Sequence, residues 1–128
     1  MELAHDPDEA AFLASYDASR FPRPSVAVDV ALMTVHEGRL WSLLLQRGAA
    51  PFRGRHALPG GFVGLAESLD EAVARTLRVK CATEGVFAEQ LFTFGAPERD
   101  PRLRVVSVAY YALVDHARLA RALAARPE

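Results

Sequence analysis

The chain has 128 residues, a formal net charge of −1, 51% hydrophobic and 24% charged residues, the profile of one soluble globular domain. Its 14.0 kDa scale to roughly 6,700 Å² of folded surface, so that about two thirds of the chain's surface can be buried without a disulfide or structural metal. Near-neutral charge argues against holding nucleic acid by phosphate neutralisation alone, and the single cysteine, Cys81, excludes a disulfide framework and a cysteine-based zinc site.

The N-terminus carries Glu2, Asp6, Asp8, Glu9 and Asp17 before its first cation, Arg20, the reverse of a targeting peptide. Residues 6–18 place Ala11, Phe12, Ala14, Ser15 and Tyr16 on a loosely helical period, which predicts a helical arm over residues 1–20. Ser25 to Val35 and Arg39 to Gln46 are β-branched or aromatic runs joined by His36-Glu37-Gly38, the pattern of an antiparallel hairpin. The first run is too short to span a bilayer and is interrupted by Asp29; neither a membrane nor a secretory location is expected, and the chain reads as cytoplasmic. Arg47 to His56 holds three cations and no acid among turn formers and reads as a basic loop.

Ser68 to Lys80 is the clearest helix. Ser68 with Glu71 three residues on has the capping-box spacing, and Leu69, Ala72, Val73, Thr76, Leu77 and Val79 form one stripe with Lys80 at its edge. Val86 to Phe94 and Arg104 to Val114 read as strands, and Asp115 to Ala125 as a closing helix. Trp41, Phe62, Phe92 and Phe94 are expected in the core, and Cys81 as a small buried hydrophobe. The chain has no Asn and no Ile, and only one of its 15 basic residues is Lys. Such absences track AT-rich codons, so an arginine carries little information here and the lone Lys80 carries more.

Leu58-Pro59-Gly60-Gly61, then Glu67, Arg75 and Leu77, resemble the signature of the Nudix hydrolases: a glycine, five residues, a glutamate, seven residues, then Arg-Glu-apolar-x-Glu-Glu-x-Gly. The flanks Arg23 to Asp29 and Gln90 to Arg102 resemble the ADP-ribose-type branch, which includes regulators of NAD metabolism. The resemblance covers about Phe21 to Val114 and implies an α/β fold, an α/β/α sandwich with a mixed β-sheet in which the signature forms a loop, a helix and a loop. The Nudix-like domain is expected over residues 21–128. In the family the helix glutamates lie one turn apart on one face and hold Mg²⁺ or Mn²⁺ against a diphosphate. In this chain their positions are Thr76, Val79 and Lys80, and the closing glycine is Ala82. Glu67 and Arg75 survive as vestiges of the catalytic box; no metal site and no cofactor are expected.

Two readings of Lys80 follow. Its stem covers apolar surface while its ammonium stays in water, or it replaces the missing cation and binds a diphosphate without activating water. Arg47, Arg53 and Arg55 around Phe52, and Arg99 and Arg102 in the Glu98 to Arg102 turn, are the other expected ligand residues. The expected function is binding of a nucleoside-diphosphate-linked ligand such as ADP-ribose, with hydrolysis lost or very weak. One alternative is an active hydrolase that uses Mg or Mn through Glu67, Asp70, Glu84, Glu89 or Glu98. The other is a ligand-free dimerisation module, with the acidic first helix paired to the Ala/Arg-rich last one. A homodimer is expected. Regulators of this branch carry a C-terminal winged helix for DNA, whereas Asp115 to Glu128 has no helix-turn-helix pattern; no nucleic-acid partner is expected through these residues.

Overall fold

The computed structural model describes residues 8–125. A first helix, α1 (Glu9–Ser15), and a 3₁₀ turn (Ala18–Arg20) precede β1 (Ser25–His36), and α1 buries none of its residues. Asp6, where the first helix is expected to begin, lies outside the described residues. After β1 come β2 (Arg39–Ser42), β3 (Leu45–Gln46), β4 (His56–Ala57), β5 (Gly60–Phe62), α2 (Leu69–Cys81), β6 (Glu89–Phe94), β7 (Val105–Leu113) and α3 (His116–Ala125).

The main sheet runs β2-β1-β7-β6, with β5 also pairing to β1. β1 and β7 are parallel and in register from Ser25↔Val105 to Met33↔Leu113, and the other pairings are antiparallel, so the sheet is mixed, as the resemblance implies. Alternation along β1 sorts its side chains. Val28, Val30 and Leu32 join Val108, Tyr110 and Ala112 of β7 in one core with Ala72, Val73, Leu77 and Cys81 of α2 and Leu119 of α3. Ala27, Asp29 and Ala31 occupy the alternate positions of the strand.

Ser68 caps α2 by accepting the Glu71 N–H at 3.1 Å, the cap its spacing predicts. The helix ends at Ala82, in the left-handed region at φ 49 and so at the position glycine favours. Glu37 and Gly38, also left-handed at φ 53 and 72, make the hairpin turn between β1 and β2.

Three expectations are corrected. The second hairpin arm is broken: Leu43 turns inward and is buried, its N–H donates to the Leu32 carbonyl at 2.9 Å, and Leu45–Gln46 then pair with His56–Ala57 as a separate two-stranded sheet. Val79 does not share the buried stripe but is 69% exposed. Trp41, Phe92 and Phe94 are also exposed rather than core, because β2 and β6 are edge strands with no layer over their outer positions, and Phe62 at the end of β5 is exposed where the chain leaves the sheet. Every residue of β6 is exposed.

Two substitutions test this arrangement by urea unfolding. Leu32→Ala should cost about 2–5 kcal/mol, as for a fully buried leucine, whereas Ala82→Gly should stabilise by about 0.5–1 kcal/mol through relief of the left-handed backbone. A destabilising Ala82→Gly would contradict the helix end described here.

Candidate functional site

Behind β1 and β7, a hollow of about 590 Å³ is walled by Ala27 and Asp29 of β1, Val105 and Ser107 of β7, Gly60 to Phe62 of β5, the loop from Arg47 to Phe52, Lys80 of α2, and the turn holding Arg99, Asp100 and Arg102. Its size lies within the range of small-molecule sites. Four of the six cations expected to bind ligand, Arg47, Lys80, Arg99 and Arg102, line it together, although they come from three separate parts of the chain. Arg53 and Arg55 do not line it; they sit on the exposed tip of the basic loop.

Each cation is held in place. Arg47 donates through Nε to the Pro51 carbonyl at 2.6 Å, while its backbone carbonyl accepts the Gly54 N–H at 2.8 Å. This tight loop sets Phe52, left-handed at φ 61, on the wall of the hollow. Arg99 donates to Ser107 Oγ at 2.7 Å. Arg102 forms a two-pronged pair with Asp100, at 3.1 and 2.8 Å, and its guanidinium lies 5.7 Å above the Phe62 ring, a cation–π distance. That pair and the Arg102 N–H hold the Asp100 carboxyl down at about 2. Lys80 Nζ donates to the Gly60 carbonyl. Thus the lysine reaches over the mouth of β5 rather than only lying along apolar surface.

The Glu67–Arg75 pair frames the hollow from outside. Arg75 donates to Glu67 Oε2 at 2.7 Å, to Glu67 Oε1 at 2.9 Å and to the Phe62 carbonyl at 2.9 Å, and Glu67 Oε1 also accepts the Gly64 N–H at 3.0 Å. The Arg75 hydrogen bonds, followed by that of Gly64, lower the Glu67 carboxyl from 4.5 to about 2. With both oxygens engaged, Glu67 serves as a clasp between β5 and α2.

A divalent cation does not fit this set of donors. Thr76 is buried and donates to the Ala72 carbonyl at 2.8 Å, Val79 offers no donor atom, and Lys80 brings a positive charge to the same helix face. The substitute acids stand elsewhere. Asp70 accepts from Tyr110, Glu89 accepts from Tyr111, Glu84 lines a different cleft beside Arg78, Arg118 and Arg121, and Glu98 is exposed. No cluster of three or more metal-binding side chains occurs among the described residues. Two wall residues have no place in the sequence reading as ligand groups. Phe62 was expected in the core, and Asp29 signals itself only as an acid inside an apolar strand run.

The model of the NUDIX domain family matches residues 23–125. The ADPR responsive transcriptional repressor NtrR of Acinetobacter baylyi is 40% identical over 109 residues, which cover 84% of this chain and 44% of that protein. The ADP-ribose pyrophosphatase of Methanocaldococcus jannaschii is 36% identical over 87 residues, 68% of this chain and 49% of that protein. The chain therefore spans less than half the length of either relative. Among solved structures, the NUDIX domain of Shewanella oneidensis NrtR complexed with ADP ribose superposes with a TM-score of 0.78 at 42% identity, over 84% of this chain and 71% of that one. NrtR of the same organism complexed with a 27mer DNA gives 0.69 at 40% identity, over 77% and 46%.

The repressor and the DNA complex overturn the expectation that nucleic acid is excluded as a partner. That expectation rested on Asp115 to Glu128 and on net charge; the matched relatives extend well beyond the segment they share with this chain, and phosphates are met by local basic surface that an average conceals.

The Glu67 clasp has a pH signature. Since folding lowers this carboxyl from 4.5 to about 2, its stabilising contribution is fully present above about pH 4.5 and is lost as pH falls from there through about 2. Carboxyl ¹³C titration should find the Glu67 midpoint near 2 and, in Arg75→Ala, near the ordinary value; ordinary midpoints in both proteins would contradict the clasp.

Proposed function

This chain belongs to the NUDIX domain family, and we propose that it binds ADP-ribose through its diphosphate without the aid of a divalent metal, and hydrolyses it weakly or not at all. The observation that carries this reading is the convergence of Arg47, Lys80, Arg99 and Arg102 on one hollow, with no cluster of metal-binding carboxylates beside it among the described residues. Against Asp29 and Asp100 these cations leave a surplus of positive charge, suited to a diphosphate whose oxygens accept charge-assisted hydrogen bonds. Phe52 and Phe62 add aromatic wall for a base or sugar. The ADP-ribose complex of the NrtR domain from Shewanella oneidensis supports the choice of ligand.

Hydrolysis needs charge stabilisation where the leaving phosphate departs and a means of activating water. Lys80 supplies some of the first and none of the second, so the reading is that of a cytoplasmic ligand sensor rather than a turnover enzyme. The domain acts as a homodimer in this reading, supported by the exposed Leu91, Phe92 and Phe94 of β6 and by the exposed ring cluster of Phe12, Tyr16 and Phe21, since exposed apolar groups favour association.

Calorimetry with ADP-ribose in EDTA tests the binding claim. Binding should persist in chelator and weaken by about tenfold or more, 1.4 kcal/mol, in Lys80→Glu. The double variant Arg53→Ala/Arg55→Ala should bind as the parent does. No binding by the parent, or binding restored only by added Mg²⁺, would contradict the reading. Light scattering should give twice the 14.0 kDa chain mass; a monomer at the same concentration would contradict the dimer.

A further inference from the structure

Asp29 stands on the central strand of the sheet, half-buried, facing a hollow otherwise dominated by cations. Among the described residues no hydrogen bond or ion pair engages its carboxylate. The fold nevertheless makes room for it. A Cβ on Gly60, the Cα partner of Asp29 across the β1–β5 pairing, would collide with this carboxylate and come within 2.7 Å of the Val28 carbonyl. Gly60 is therefore glycine because β5 passes so close to β1 at the acid, and its carbonyl is the one that Lys80 holds. A half-buried carboxylate on the wall of the hollow, with no protein partner among the described residues, is open to donors from a ligand.

The chemistry of that ligand group is constrained from both sides. Asp100 is already taken up by Arg102, so Asp29 is left as one open carboxylate opposite four cations, which does not hold a divalent metal, and an ammonium donor would be repelled by the same cations. Neutral donors remain, and among them a pair of adjacent hydroxyls matches the two oxygens of a carboxylate best. A carboxylate has two acceptor oxygens and can take two donors at once, and carboxylates read ribose hydroxyls in dinucleotide-binding folds. A ribosyl 5′-phosphate carries in one molecule the anion the cations require and the vicinal diol the carboxylate requires.

We propose that Asp29 is the hydroxyl-reading group of the hollow, accepting hydrogen bonds from the vicinal diol of a ribosyl group whose phosphate lies on Arg47, Lys80, Arg99 and Arg102. This rests on the ADP-ribose reading above and specifies how the hollow separates ribosyl diphosphates from bare diphosphate. Asp29 is then a specificity residue: it weakens the hold on any anion and repays this only when hydroxyl donors are present.

Calorimetry of the whole chain and of Asp29→Asn with two probes, ADP-ribose and inorganic pyrophosphate, separates these effects by sign. Asp29→Asn should bind ADP-ribose at least about tenfold more weakly and pyrophosphate as well as or better than the parent, because a repelling charge has gone. Its melting temperature without ligand should equal or exceed the parent's, as a carboxylate that holds the fold together would not allow. Equal or tighter ADP-ribose binding by Asp29→Asn, or parallel weakening of both probes, would overturn the assignment and leave the ADP-ribose reading intact. A parent chain that binds pyrophosphate and not ADP-ribose would overturn both.

Discussion

Arg75 is the residue through which the site holds together. Its guanidinium ties the Glu67 carboxylate and the Phe62 carbonyl, and Glu67 in turn holds the Gly64 N–H, so β5, the loop behind it and the middle of α2 are fixed as one body. The consequence appears five residues further along the helix. With α2 anchored to β5, Lys80 is delivered to the carbonyl of Gly60, and Gly60 is pressed against β1 where Asp29 stands. The clasp, the lysine, the glycine and the aspartate form a chain of contacts in which each sets the position of the next.

In the proposed reading, Thr76, Val79 and Lys80, standing where the resemblance places the family's metal-holding glutamates, have a simple electrostatic result. A face suited to a hydrated cation in the family has become one that offers a cation of its own. The side chains could have lost the carboxylates without gaining anything: Thr76 turns back on its own helix and Val79 points to solvent. Lys80 alone reaches the hollow, and there it joins three arginines that are separately braced by Pro51, Ser107 and Asp100. Bracing matters because a guanidinium already held in place loses less rotational freedom when a phosphate arrives.

Much of this was legible before any coordinates. The helix α2, its Ser68 cap and most of its buried stripe follow from spacing alone, as do the strands at β1 and β7, whereas their parallel pairing is a long-range contact that no local pattern encodes. Arg47 reads as a ligand residue from the chemistry of the basic loop, and Arg99 and Arg102 from a turn that resembles the family's, whereas their convergence depends on loop closure that no local pattern encodes. Composition obscured Arg53 and Arg55: in so arginine-rich a chain their charge could not be told from that of Arg47, and only the tight loop about Phe52 separates tip from wall. The exposed aromatics were misread because hydrophobicity reports a wish for burial and not which surface supplies it. Asp29 was visible as an interruption, but its meaning required knowing that Gly60 faces it.

The central claim is that the hollow holds a diphosphate ester intact without metal, and ³¹P NMR of ADP-ribose with the protein addresses it directly. The account predicts that the diphosphate resonances shift on binding, are the same in Mg²⁺ and in EDTA, and persist without conversion. The appearance of AMP and ribose 5-phosphate signals in Mg²⁺, halted by chelator, would contradict it.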